Sequence, residues 1–409
     1  MLGVKTAALP SSLRRTNQRT VISLLLRLGS ASRADLAKAA GISQPTAGKI
    51  TTELLRLGIL QEAGSAAEPN GNGNGSSSRL GRPGQLLRLE SRHPRFLAIE
   101  LGVSETCITA LPVAVELEDR WTCSIPTPKS PEAWLSALSA ATREFRSLQL
   151  WGVLISVPGL VDEQAGKVLF SPNLHWLETT SLPELLRGAW DLPVLLVQEI
   201  RALALGHLTA EPGDEDFLLV DFGQGVGGAV VMEGELFSHP IPLSGEFGHT
   251  PVAGNHRRCG CGAAGCLETL VSERGLLESF SNASEKRSRT GTRPTWKALA
   301  TRVNEVGLEP WMRETLDATA CVVAGALNVL GVRRLIITGR LAEIPACVTY
   351  LTAEIKKGAM WGRFGEILCQ AAPHRRAAGL VASGIDRLVL PTNDETGAIF
   401  PATGTVSTS

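Results

Sequence analysis

Two hydrophobic periodicities run along this chain, and the change from one to the other falls near residue 90. Val21, Ile22, Leu24, Leu25, Leu26 and Leu28 recur at helical spacing and stop at Gly29, which predicts an amphipathic helix. Ser32-Arg33-Ala34-Asp35 opens a second helix, with the serine as N-cap and Asp35 in the acidic position of a capping box. Leu36, Ala37, Ala39 and Ala40 supply its apolar face, and Gly41 ends it in a tight turn. Ser43 caps a third helix, where Pro45 sits in the first turn and Ile50, Leu54, Leu55 and Leu57 line the buried side.

Helix, short glycine turn, helix is the helix-turn-helix arrangement. Its second helix is expected to turn Gln44, Thr46, Ala47 and Lys49 outward from the half that reaches base edges in the major groove. A small helical bundle without a nucleic-acid role is the alternative, and the exposed Gln/Thr/Lys set together with the basic surplus of the segment favours DNA binding over it. Beyond Gly58-Ile59-Leu60, a Gly/Asn/Ser tract over 66–78 separates two short apolar runs, the second holding Leu86, Leu87 and Leu89. Two strands around a floppy tip make a wing. Arg79 and Arg82 beside the tip have the chemistry to reach phosphate or the minor groove, or merely to keep a linker soluble.

From Phe96 onward strands alternate with helices. Phe96–Gly102, Cys107–Ala114, Leu150–Val157, Val194–Val197, Phe217–Asp221, Ala229–Met232 and Leu335–Gly339 read as strands, and Trp134–Leu148 as a helix. Glycine-rich turns follow several strands, most densely at Phe222-Gly-Gln-Gly-Val-Gly-Gly228. The pattern is mixed α/β in two lobes with glycine turns facing a cleft.

Charge sharpens the division. Residues 1–90 hold 12 Lys and Arg against 5 Asp and Glu, a surplus of +7 that the remainder balances in a chain of formal net charge zero. A basic N-terminal unit on an acidic body points to a polyanion-binding module in front of something else. The apolar stretch from Val21 to Leu28 is far short of the roughly 20 residues that span a bilayer, so a cytoplasmic location with no membrane partner is expected.

The densest chemistry lies between His249 and Cys266. Cys259, Cys261 and Cys266 follow a C-x-C-x4-C spacing with His249 nine intervening residues upstream, one nitrogen and three sulfurs for a tetrahedral structural Zn2+. Interspersed glycines suit a chain that must fold back repeatedly around one ion. A disulfide reading is weaker, because Cys107, Cys123, Cys321, Cys347 and Cys369 are isolated and no secretory signal precedes them.

These residues resemble the ROK family of bacterial sugar-responsive repressors, related open reading frames and sugar kinases. Gly245-Glu246-Phe247-Gly248-His249 followed by Cys259-Gly-Cys261-Gly-Ala-Ala-Gly-Cys266-Leu-Glu268 is similar to the family zinc-and-sugar segment almost letter for letter. Val157-Pro-Gly-Leu-Val-Asp162 and Ser171-Pro-Asn-Leu174 resemble two further family segments, and Asn17, Ser32–Leu36 and Gly41–Thr46 resemble its repressor branch. The likeness covers essentially residues 13–387. It implies an α/β fold, with an N-terminal winged helix-turn-helix in front of a two-lobed actin-like, ribonuclease-H-like sugar-kinase body.

Residue by residue, the resemblance implies that His249, Cys259, Cys261 and Cys266 bind zinc, while Asn173, Glu246, His249 and Glu268 line a sugar pocket. Glu246 and Glu268 alternatively only orient the zinc loop. Kinases of the family carry an Asp-Gly-Gly-Thr-like phosphate turn, an Asn-Asp pair with a general base, and a Gly-Thr-Gly loop. Here those places read Glu100-Leu-Gly-Val103-Ser, Gln198-Glu199 and Gly223-Gln224-Gly225. Val103 blocks close backbone approach to phosphate, Glu199 displaces the carboxylate by a methylene, and Gln224 removes a hydroxyl donor. Gln198 and Glu199 remain suited to sugar hydroxyls.

The expectation is therefore a non-enzymatic regulator, a repressor of carbohydrate genes that binds double-stranded operator DNA through Ser43, Gln44, Thr46, Lys49, Arg79 and Arg82. A sugar in the cleft is its effector, and a homodimer or homotetramer its assembly. An active sugar kinase with an appended DNA-binding domain, or a regulator controlled by a protein partner, are the alternatives. The expected domain map is 1–90 for the winged helix, 91–205 for the first lobe with a returning helix at about 375–388, 206–374 for the second lobe, and 389–409 for a disordered tail.

Overall fold

A computed structural model of the chain describes residues 10–65, 85–115, 121–211, 213, 215–237, 245–285 and 294–390. The tip of the expected wing, including Arg79 and Arg82, and the C-terminal tail lie outside the described residues.

The N-terminal unit runs α1 (Pro10–Leu28), β1 (Ala31–Ser32), α2 (Arg33–Ala39), α3 (Gln44–Arg56), β2 (Leu60–Ser65) and β3 (Gln85–Leu89). The predicted caps are formed: Ser32 accepts from the Asp35 amide and Ser43 from the Thr46 amide, with Pro45 in the first turn of α3. Gly29 and Gly41 take φ of +69° and +65°, the left-handed region in which a side chain is strained. The strands order as β1-β3-β2, all antiparallel, so β2 and β3 form the stem of a wing. α1 begins eleven residues earlier than its apolar repeat, because its first half is polar and docks through arginines rather than leucines. Three positions depart from expectation, the first being Leu28, which is 47% exposed at the end of α1. Ala47 is fully buried against the N-terminal core, and Ala39 is exposed; one residue's rotation around a helix of 3.6 residues per turn decides each.

The body holds two five-stranded sheets of matching design. The first comprises β4 (Phe96–Leu101), β5 (Glu105–Leu111), β6 (Thr122–Pro126), β7 (Gly152–Val157) and, beyond a small β8 (Leu160–Asp162) and β9 (Lys167–Phe170) hairpin, β10 (Val194–Gln198). Helices α4 (Pro131–Ala141), α5 (Leu182–Arg187) and α6 (Glu199–Ala210) belong to it. The second comprises β11 (Phe217–Phe222), β12 (Val226–Met232), β13 (Glu235–Leu236), β14 (Arg334–Gly339) and β15 (Leu368–Ala371). Its helices are α7 (Glu268–Val271), α8 (Glu273–Glu285), α9 (Trp296–Val306), α10 (Pro310–Leu330), α11 (Pro345–Gly358) and α12 (Trp361–Phe364). α13 (Arg376–Gly384) returns to the first sheet and continues as a π-turn over Ile385–Val389.

The sheet orders are β10-β7-β4-β5-β6 and β13-β12-β11-β14-β15. In each, three antiparallel strands form a meander and two parallel strands extend from its first member. This repeated order is the actin-like, ribonuclease-H-like duplication. β7 and β11 are buried along their whole length, as strands covered on both faces must be, and their sequences are correspondingly apolar. The helix expected over 134–148 is interrupted after Ala141, where Thr142 bonds back to Leu138 and a 3-10 turn follows. The strand expected from Ala229 starts at Val226, so Gly227 and Gly228 lie inside the ladder rather than in the turn.

α6 and α13 cross at glycines. A Cβ on Gly379 would lie 1.8 Å from the Ala202 carbonyl oxygen, and one on Gly206 would lie 1.9 Å from that of Arg375. This close crossing carries the first residues of both helices, Glu199 and Arg376, to the mouth of the cleft between the sheets.

Candidate functional site

A cleft of about 810 Å3 opens between the two sheets. The β4–β5 turn enters it from the first lobe and the β11–β12 turn from the second, and the two touch where Gln224 Nε2 donates to Ser104 Oγ at 2.9 Å. Both turns are tight. A Cβ on Gly102 would sit 2.6 Å from the Glu105 carbonyl, and Gly223 N donates to Gly225 O at 3.0 Å.

Every residue singled out for sugar contact lines this cleft: Asn173, Gln198, Glu199, Glu246, His249 and Glu268. Asn173 is exposed and Gln198 is buried, with the Gln198 amide donating to Glu163 Oε1 at 2.9 Å. Glu163 also accepts from Arg201 at 2.9 Å and from Arg387 at 3.2 Å, which fixes the start of α6. Glu268 accepts from the Val226 amide at 3.1 Å, so its carboxylate closes the glycine turn of the second lobe. Burial pushes the Glu246 carboxyl up from its ordinary range, against the pull of His249.

Sequence reasoning missed a charged cluster beside these residues. Arg376 reaches Glu199 at 2.5 Å and Glu100 at 3.3 Å. Burial pushes the Glu199 carboxyl up, and the adjacent Arg376 guanidinium pulls it back. Asp221 Oδ1 meets His374 Nε2 at 2.7 Å and accepts from Thr338 Oγ1 at 2.8 Å. The His374 pKa is raised, chiefly by that hydrogen bond to Asp221. The one available signal was Pro373-His374-Arg375-Arg376, a cationic run at the start of an otherwise apolar helix.

At one side of the cleft His249, Cys259, Cys261 and Cys266 converge, with all four ligand atoms within 4.8 Å of one another. His249 Nδ1 lies 3.5 Å from Cys259 Sγ, and Cys261 Sγ lies 3.7 Å from Cys266 Sγ. The other imidazole nitrogen, Nε2, faces Glu246 at 3.6 Å in the cleft. Gly262 and Gly265 take φ of +93° and +88°, turning the chain back between successive cysteines. Burial raises the Cys259 thiol to about 12. All eight cysteines are free.

On the N-terminal unit, Ser43, Gln44 and Lys49 are exposed and Thr46 is half-buried at the start of α3. The Ser43 and Thr46 hydroxyls bond each other at 2.8 Å. No helix among the described residues is long and apolar enough to cross a membrane.

The ROK family model matches residues 96–384, the whole of the two-sheet body. The chain belongs to the ROK family. Among its relatives, the xylose repressor of Caldicellulosiruptor bescii is 28% identical over 273 residues, 65% of this chain and 66% of that protein. The DNA-binding transcriptional dual regulator NagC of Escherichia coli K12 is 26% identical over 276 residues, 66% of this chain and 65% of that protein. The chain thus matches a little under two thirds of the length of these relatives. Among solved structures, a ROK family transcriptional regulator, homolog of the E. coli MLC protein, superposes with a TM-score of 0.69 at 19% identity. That likeness covers 91% of this chain and 97% of the other. A ROK family glucokinase from Streptomyces griseus, in complex with glucose and AMPPNP, superposes at 0.61 and 19% identity, over 70% of this chain and 97% of the glucokinase. The fold is that of ROK regulators and sugar kinases.

Proposed function

We propose that this ROK protein is a sugar-responsive transcriptional regulator, a repressor of carbohydrate genes whose effector binds in the interlobe cleft. The observation that carries the reading is the joining of a capped, outward-facing α3 to a ROK body through one continuous core. Gln44 and Lys49 are placed to meet DNA at the start of that helix, the half that reaches base edges in helix-turn-helix proteins. Arg79 and Arg82, outside the described residues, carry the charge to add phosphate contacts. Two winged helices, as in a homodimer or homotetramer, are needed to read a two-fold operator.

In the cleft, Asn173, Glu246, Glu268 and Glu199 offer acceptors for sugar hydroxyls. His249 ties the metal loop to them, with one ring nitrogen toward the thiols and the other toward Glu246. The four-residue set fits zinc. Ligands at zinc–sulfur and zinc–nitrogen bond lengths in a tetrahedron stand about 3.8 Å apart for two sulfurs and about 3.5 Å for sulfur and nitrogen, against the 3.7 and 3.5 Å observed. Such an ion would hold the loop that carries Glu246 and Glu268. Cys261→Ser should lose stoichiometric zinc and lower the melting temperature. Metal-free wild-type protein that melts like the variant would refute the assignment.

The kinase alternative is disfavoured by the same geometry. A general base must be free to take a proton, whereas Glu199 is tied to Arg376 at 2.5 Å. Val103 and Gln224 disturb the phosphate turn and the nucleotide loop independently, and phosphoryl transfer depends almost wholly on positioning. The decisive experiment pairs gel-shift measurements on promoter DNA, with and without a sugar panel, with a coupled ADP-release assay. Sugar-dependent DNA binding without ATP turnover is expected. Turnover near 1 s⁻¹ that vanishes in Glu199→Ala would promote the kinase reading.

A further inference from the structure

We infer that the cleft selects an uncharged, unphosphorylated sugar and rejects its phosphate ester. The inference rests on the sugar reading above and specifies its ligand class. A sugar phosphate carries about −1.5 to −2 charges at neutral pH and three strong acceptor oxygens. A site for it must offer cations or unengaged backbone amides, usually a guanidinium fork or a glycine-rich nest.

Among its described residues this cleft is lined mainly by acids, and its guanidinium groups are already ion-paired. Seven carboxylates line it against two guanidinium groups, those of Arg340 and Arg376. Both are committed. Arg376 bridges Glu199 and Glu100, and Arg340 lies 3.6 Å from Glu273 and 3.2 Å from Glu343. His374 is held on Asp221.

Three amides at the glycine turns are engaged as well. In the second lobe the Gly223 amide bonds within the turn and the Val226 amide is taken by the Glu268 carboxylate. In the first lobe the Gly102 amide donates to the Glu105 backbone carbonyl across its own hairpin. With seven carboxylates lining the cleft, an incoming phosphate meets like charge on most sides. Hydroxyls meet the opposite situation, since every one of those carboxylates is an acceptor.

Titration calorimetry on the full-length protein tests this with matched pairs: xylose and xylose 5-phosphate, glucose and glucose 6-phosphate, N-acetylglucosamine and its 6-phosphate. The free sugar that binds should do so at least about tenfold more tightly than its ester, as like-charge juxtaposition predicts. Replacing Glu273→Gln and Glu343→Gln together frees Arg340 and should shrink that gap severalfold. An ester that binds as tightly as its parent overturns the inference while leaving the sugar site intact. So does a gap that stays at its wild-type size in the double variant. Binding by neither member of any pair overturns the sugar reading itself, and the inference with it.

Discussion

The molecule has two junctions of opposite chemistry. Between the N-terminal unit and the first lobe, the buried core is continuous: Leu25, Leu54, Ile59 and Leu87 belong to one cluster with Phe96, Leu111, Ile385 and Val389. Trp151 of the body packs edge-on against Phe96 and lies against Gly58 at the foot of α3. Between the two lobes the apolar cluster shared among the described residues is smaller and centres on α6, with Ile200, Leu203 and Ala204 against Phe217, Leu219 and Ala229. Beyond it, the mouth of that second junction is bridged by a polar contact, Gln224 of the second lobe with Ser104 of the first. An apolar joint resists sliding because shifted side chains lose close packing, whereas a hydrogen-bonded mouth exchanges partners with water or ligand at little net cost. The contrast assigns motion to the cleft and rigidity to the joint with the N-terminal unit. In the proposed reading, a sugar that repositions the lobes moves the winged helix with the first lobe rather than independently of it.

The largest effect should come from damaging the joint. Leu25 is 1% exposed, and Leu25→Ala should cost about 2–5 kcal/mol, as buried leucine truncations do. Because the core is shared, calorimetry should show the N-terminal unit and the first lobe losing stability together. A variant in which the winged helix melts alone, with the body unchanged, would break the comparison and make the joint an ordinary linker.

This joint is also where sequence reading reached least far. The helix-turn-helix was legible because its signals are local: Ser32, Gly41, Ser43 and Pro45 each act within four residues. The convergence of His249 with the three cysteines followed from donor chemistry and spacing. Arg376 was not legible, since its partners Glu100 and Glu199 lie 276 and 177 residues away in sequence and only the α6–α13 crossing unites them. The same applies to Asp386, which meets two arginines from the opposite end of the chain. Ala47 was misplaced because helical periodicity sets a face only to within a residue, and the packing of α3 on its neighbours decides the rest.

A middle-sized effect should sharpen the joint's polar margin. Asp386 accepts from Arg15 Nε at 2.8 Å and from Arg19 at 2.7 Å through both carboxylate oxygens. Burial alone would raise its pKa, but the hydrogen bonds to Arg19 and Arg15 hold it below the ordinary carboxylate range. Arg19 also reaches Glu235 of the second lobe at 3.1 Å, so one side chain touches all three units. Asp386→Asn should cost about 1 kcal/mol, the scale of a partly exposed charge-assisted contact. Hydrogen exchange should speed up in the first half of α1 and stay unchanged in the helices of the second lobe. Unchanged exchange throughout α1 would show that the apolar core alone fixes the joint.

The smallest expected effect belongs to the cleft and is read through pH. His374 is held on Asp221, which raises its pKa above the unfolded value of about 6.5. A group whose pKa is raised on folding binds its proton more tightly in the native state, so its contribution is fully present below the unfolded pKa. That contribution declines as pH rises through the higher native value and is gone above it. The remaining neighbours pull in opposite directions, Arg376 lowering the His374 pKa and Glu199 raising it, so the Asp221 contact sets the sign. His374→Gln keeps a hydrogen-bond donor and removes the titration. The melting temperature of the wild type should exceed that of the variant most at about pH 5.5–6, and the two should converge toward pH 9, with both measured at one ionic strength. The side chain is 41% exposed, so solvent screens the pair and the difference stays small. A difference that is constant across the range would mean that His374 acts through packing alone. One that grows with pH would mean that the neutral imidazole is the form the cleft prefers.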